Sequence, residues 1–168
     1  DTKIWRQISG HEDADQLQRD LDSLNEWSNE WLMNFNTDKC KVMHLGGKEK
    51  FKYSFARENE TYCLEKTNQE RDLGVVVTSN MKSSIQCSKA AAKSMAMLGL
   101  IKRQFKNIEI RDFGILYKCY VRPHIEYCVQ SWSTHLKKDI SCLEKVQRRV
   151  SRLVVGLKGL DYQNRLRV

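Results

Sequence analysis

The residues of this chain whose types could carry chemistry are four histidines, six cysteines and a large set of lysines and arginines. His11, His44, His124 and His135 stand apart from one another and from any serine or cysteine arranged as a nucleophile, so none is assigned a catalytic role. Cys40, Cys63, Cys87, Cys119, Cys128 and Cys142 form no C-x-x-C pair and have no histidine at zinc spacing, which argues against a structural zinc site. Their scatter through apolar surroundings fits buried thiols in a reducing compartment, with disulfides the weaker alternative. Leu45-Gly46-Gly47 lacks the Lys-Ser/Thr that follows in a phosphate loop. The chemistry that remains is that of charge.

That charge is uneven. Residues 1–80 hold 11 Lys+Arg against 15 Asp+Glu, a net of −4, while residues 81–168 hold 18 against 6, a net of +12, matching the whole-chain +8. A basic half joined to a mildly acidic one points to a polyanionic partner, and the structural alternative is a lysine-rich solvated surface. With 168 residues, 40% hydrophobic and 30% charged, the chain reads as one globular domain or two small ones. Its longest apolar run, Met95 to Ile101, is far below a membrane span. The expected setting is intracellular, in nucleus or cytoplasm, with no membrane contact.

The elements that must position these charges follow from periodicity. Thr2 to Ile8 alternates as a half-buried strand does. Asp13 reads as a helix N-cap, with Gln16 completing a capping box. Leu17, Leu21, Leu24, Trp27 and Trp31 then form one helical stripe facing a core. Lys41 to Leu45 alternates as a short strand closed by Gly46 and Gly47. Further strands are expected at 51–55, 61–65 and 72–78, the last the most buried. From Lys82 the period becomes helical. Phe113, Leu116, Tyr117, Tyr120, Val121, His124, Ile125 and Cys128 trace an amphipathic helix that Pro123 must kink or split. A last helix spans about Asp139 to Leu157, with Ile140, Leu143, Val146, Val150, Leu153 and Leu157 inward. Lys137, Lys138, Lys145, Arg148, Arg149 and Arg152 lie outward, and Gly156 and Gly159 end it. The fold class is therefore α+β, a helix on short antiparallel strands followed by a helical bundle.

The segments "DTKIW", "NTDKCKVMHLG", "ERDLGV", "VRPHIEYCVQSW" and "LEKVQRRVSRLVVGL", in this order, resemble the reverse transcriptase of non-LTR (LINE-type) retrotransposons, close to the jockey-like and chicken-repeat-like clades. The resemblance runs over essentially the whole chain. It implies that residues 1–80 are the C-terminal part of the palm with a primer-grip-like hairpin. Residues 81–168 become the helical thumb and a following basic region. Asp1 matches the second aspartate of the family's Phe-Ala-Asp-Asp turn, so the chain is expected to open inside an active-site turn. Two Mg²⁺ ions serve such a polymerase and demand several converging carboxylates. In the family these come from an earlier palm strand and the first aspartate of the pair, neither of which has a counterpart here. The resemblance thus implies Mg²⁺ in the parent enzyme and none held by this chain alone, with the N-terminal part of the polymerase as a missing partner.

Several other roles follow from it. Lys39 falls on the lysine of the family's Asn-x-x-Lys motif, near the incoming triphosphate, where it would donate a proton to pyrophosphate. The structural alternative is a strand-end lysine paired with Asp38 or open to solvent, and Asn36 shapes the turn. Arg71, Leu73 and Gly74 match the hairpin that grips the primer end, Gly74 allowing close backbone approach or simply a bulge. Lys82, Lys89, Lys93, Lys102, Arg103 and Lys106 suit a thumb helix laid along an RNA–DNA hybrid, and Arg148, Arg149 and Arg152 a second nucleic-acid face. Half of these lysines are expected to be ordinary surface residues. Tyr127 and Trp132 could stack on bases, with core packing the stronger expectation. The rival class is a domesticated, non-catalytic nucleic-acid-binding or protein-interaction module derived from such an element. The resemblance predicts that the purified chain incorporates no nucleotide on a primed RNA template with Mg²⁺; measurable incorporation would overturn that assignment.

Overall fold

The computed structural model describes residues 2–46, 51–57, 60–105, 108–154, 156–157, 159–165 and 167. Asp1 and Lys106, both assigned roles from the sequence, lie outside the described residues. The architecture is α+β, in two compact units. The first comprises Asp1–Glu70 with Thr78–Met81, the second Arg71–Val77 with Lys82–Val168.

The first unit is built on helix α1 (His11–Glu30). Its N-cap is Gly10, not Asp13. Asp13 instead sits in the first turn and accepts the Ser9 N–H at 2.8 Å, the reach-back half of a capping arrangement. Gln16 donates to Asp20 at 3.1 Å. That bond, and secondarily Arg6 at 3.1 Å, holds the Asp20 carboxyl below its ordinary range. The buried face is Ala14, Leu21 and Ser28, of which Ala14 and Leu21 pack with Leu17 on Tyr53 and Phe55. Trp27 and Trp31 are exposed, Trp31 at 63%. The expected stripe fails in phase: at 3.6 residues per turn Trp27 and Trp31 lie about 100° and about 60° round the helix from Ser28, beyond the edge of the buried face.

The strands are shorter than the alternation predicted. Residues 2–8 form no strand, having no ladder partner. A 3₁₀ turn, Thr37–Lys39, leads to β1 (Lys41–Val42), which pairs in parallel with β4 (Glu65–Lys66). The Lys41–Glu65 ion pair at 3.0 Å spans this bridge, and its hydrogen bond raises the Lys41 pKa. Strands β2 (Ser54–Arg57) and β3 (Glu60–Cys63) form an antiparallel hairpin, with Ser54 opposite Cys63. Gln18 accepts the Ser54 N–H at 3.1 Å and donates to its carbonyl at 2.9 Å, and Asn25 donates to the Ala56 carbonyl. Helix side chains thus satisfy main-chain groups of β2. The run 72–78 is not one strand. It belongs to a hairpin of β5 (Gln69–Asp72) and β6 (Val75–Thr78).

The second unit packs α2 (Ser84–Gln104) on α6 (Lys137–Ser151) through Leu98, Ile101, Val146 and Val150. Between them run α3 (Ile110–Leu116), a π-helical turn (Tyr117–Val121), α4 (Arg122–Glu126) and α5 (Val129–Trp132). Pro123 splits the predicted helix as expected. It stands in the first turn of α4, and the π turn before it absorbs the missing N–H. Helix α6 begins two residues earlier than predicted and ends at Ser151, where it tightens into three-residue turns, Arg152 to Arg149 at 3.2 Å and Leu153 to Val150 at 3.0 Å. Val154 and Leu157 remain in the core beyond it, but Ile140 is exposed. Short α7 (Tyr162–Arg165) follows.

A feature unforeseen in the sequence ties the unit together. Asp139, 5% exposed, accepts from the Ser84 hydroxyl at 2.6 Å and from Thr134 at 3.3 Å, joining the first turns of α6 and α2. All six cysteines are free thiols, but Cys63, Cys119 and Cys128 are exposed, contrary to the expected burial. Cys87 is buried, and that burial, followed by the charge of Asp139, raises its pKa above that of an ordinary thiol. Leu98, 2% exposed, is the largest fully buried side chain of the helical core. Leu98→Ala should cost about 2–5 kcal/mol, seen as a lower urea midpoint at unchanged m-value for the helical unit.

Candidate functional site

Three groups of sequence-predicted residues have to be placed: the Asn36–Lys39 turn in the first unit, and the hairpin tip and basic helices in the second.

Asn36 shapes its turn as expected. Its side chain accepts the Asp38 N–H at 3.1 Å, and its carbonyl accepts the Lys39 N–H at 3.0 Å. Lys39 is exposed and makes no ion pair with Asp38. Its ammonium is held by no described residue, so the turn presents it to solvent without a fixed orientation.

The hairpin tip is more constrained. Leu73 and Gly74 both have positive φ, +44° and +89°, the signature of a two-residue type I′ turn. Leucine is a poor residue for this backbone, at a cost of about 1–2 kcal/mol. It also buries little, being 71% exposed. Strand β6 is anchored below the tip: Val75 packs with Cys87, Ala90 and Trp132, and the Val76 N–H donates to Gln86 at 2.9 Å. Arg71 points outward on β5 with no described carboxylate in ion-pair range. Gly74 is required twice, by its φ and by Tyr127, whose ring carbon would lie 3.2 Å from a Cβ there. Tyr127 thus covers the turn instead of joining the core or standing free for a base. Trp132 is buried, as expected.

The predicted basic residues divide by geometry. On α2, Lys89, Lys93 and Arg103 fall within about 80° of one another at 3.6 residues per turn, on the face opposite Leu98. Exposed Ile85 and Leu100 lie along the same face. Lys102 is exposed well off that line. With Arg103 it occupies the last turn, where cations offset the C-terminal end of the helix dipole. Lys82 is exposed just before the helix. On α6 and its C-terminal cap, Lys138, Lys145, Arg149 and Arg152 form a solvent-side stripe with no described acid paired to any of them. Arg148 stands apart: it pairs with Glu144 at 3.2 Å and stacks over Tyr162 at 4.9 Å. Buried Arg165 also approaches that ring, at 5.8 Å, and donates to Ser151 at 3.1 Å and to the Leu160 carbonyl. The amphipathic pattern of α6 could not have revealed this clip, because Tyr162 and Arg165 lie beyond its end.

A recess of about 400 Å³ in the second unit is lined by Tyr117, Arg122, Glu126, Trp132 and Glu144, among others. Arg122 and Glu126 close on each other at 2.6 Å, which raises the Arg122 pKa, while burial raises that of Tyr117. Among the described residues no three His, Cys, Asp or Glu side chains gather to hold a metal ion. No described helix is long and apolar enough to cross a membrane.

No family model, curated protein or solved structure matches this chain. The reverse-transcriptase resemblance rests on the motif series alone. The tip makes its own test of the turn assignment. Gly74→Ala should destabilise the second unit by about 1–3 kcal/mol, whereas Leu73→Asn, which suits a type I′ turn, should stabilise it by about 1 kcal/mol; thermal or urea unfolding reads both.

Proposed function

We propose that this chain is the C-terminal part of an RNA-directed DNA polymerase of a non-LTR retrotransposon. Its second unit grips primer–template duplex, and the chain is not catalytically competent alone. The observation that carries the reading is the stripe Lys138, Lys145, Arg149 and Arg152. These solvent-side cations have no described acid partner, in a half of the chain with a net charge of +12. Unpaired cations in a row repel one another, and a row of phosphates relieves that repulsion while releasing counterions. The α2 stripe adds apolar side chains between its cations, a mixture suited to sugar and phosphate edges read by shape.

Under this reading Arg71, Leu73 and Gly74 meet the primer end, and Lys39 serves the leaving pyrophosphate in the intact polymerase. Mg²⁺ belongs to the parent enzyme's carboxylates. The described residues offer no converging set of three His, Cys, Asp or Glu side chains. Nucleus or cytoplasm is the proposed setting.

A second reading, a domesticated interaction module, has one observation in its favour. Trp27, Trp31, Leu32 and Met33 are all exposed around the end of α1.

The test is binding of the full chain to an RNA–DNA hybrid across a salt series. Replacing Lys145, Arg149 and Arg152 by alanine should weaken binding uniformly across hybrid sequences and reduce the log–log salt slope by roughly 2–3, with unchanged helicity. Salt-independent binding, or an unaltered slope in this variant, would sink the duplex reading in favour of the interaction module.

A further inference from the structure

Tyr127 is more than half exposed (56%), yet both ends of it are fixed. Its carbonyl accepts the indole N–H of buried Trp132 at 2.8 Å. Its hydroxyl donates to the Leu73 carbonyl at 2.8 Å, and its ring lies over Gly74, 3.2 Å from where a Cβ would stand. Immediately after it Cys128 takes a left-handed backbone, φ +55°, ending α4 and sending the chain into α5. A buried indole therefore orients a tyrosine whose other end fastens a strained turn.

The turn itself does not account for its own sequence. Asparagine at position 73 would suit the left-handed backbone better, and the leucine there gains little burial in exchange. An apolar side chain held outward on an unfavourable backbone by a dedicated tyrosine is better explained by what it touches than by what it stabilises.

We propose that Tyr127 is the positioning residue of the β5–β6 tip, holding Leu73 and Arg71 as a preset contact for the sugar–phosphate edge of the duplex. This rests on the duplex-gripping reading above. Preorganisation lowers the ordering cost of each binding event, so loosening the tip should weaken binding without altering the number of phosphates neutralised.

The experiment uses the full chain as wild type, Tyr127→Phe and Leu73→Asn. Hydrogen exchange of the Leu73, Gly74 and Val75 amides is measured alongside affinity for an RNA–DNA hybrid with a recessed 3′ end at several salt concentrations. Tyr127→Phe keeps the ring and removes the hydroxyl. It should speed exchange at the tip roughly tenfold, in line with one lost hydrogen bond, and weaken hybrid binding severalfold at constant salt slope. Leu73→Asn should slow tip exchange and still weaken binding, opposite changes that a purely structural role would not produce. Wild-type tip exchange in Tyr127→Phe, unchanged affinity despite faster exchange, or wild-type affinity in Leu73→Asn would each overturn the positioning role. Failure of the wild type itself to bind hybrid would instead remove the duplex reading, and the positioning role with it.

Discussion

The second unit depends on one buried carboxylate. Asp139 is removed from water, a situation that costs several kcal/mol unless hydrogen bonds compensate. The Ser84 and Thr134 hydroxyls supply them. Asp139 lies in the first turn of α6, where the helix end favours negative charge, and its partner Ser84 opens α2. The interaction sets where the two longest helices of the unit begin relative to each other. Their apolar faces then meet through Leu98, Ile101, Val146 and Val150. Cys87, one turn into α2, lies close enough to Asp139 to feel its charge, and it packs with Val75 and Trp132. The same region thus supports the strand behind the tip and the indole that orients Tyr127.

The surfaces are arranged around that support. Both basic stripes sit on the solvent sides of helices whose opposite faces form the core, so charges can be changed there without disturbing packing. The tip is built differently, with a buried glutamine, a buried indole and a tyrosine all serving a turn whose own residues add little stability. Stable packing behind and strained backbone in front is a common arrangement where one surface must be presented in a single conformation.

Sequence periodicity revealed the helical half well, because a long stripe such as that of α6 repeats often enough to average out a local exception such as Ile140. Pro123 correctly marked the break before α4, though the π turn that accommodates it leaves no separate trace in the residues. The first unit was read less well. Its strands have two to four residues, too few for alternation to define their ends, and Thr2–Ile8 alternates without a partner. Trp27 and Trp31 misled because residue type outweighed phase: small Ala14 and polar Ser28 occupy the buried face. At the site, the outward basic residues were legible. Asp139, the Arg148–Tyr162–Arg165 stack and the hold of Tyr127 on Leu73 were not, since each joins residues distant in sequence or beyond the end of an element.

The carboxamides of α1 have a further consequence. Gln18 and Asn25 occupy main-chain groups of β2 that could otherwise recruit a strand from another molecule. Asn25 acts there solely as a donor, to the Ala56 carbonyl. Deamidation to aspartate would set oxygen against oxygen, prise that end of the clasp open, and expose a short ribbon to intermolecular zippering. Chemical ageing at a single amide could thus turn a guarded border into a seed for self-association.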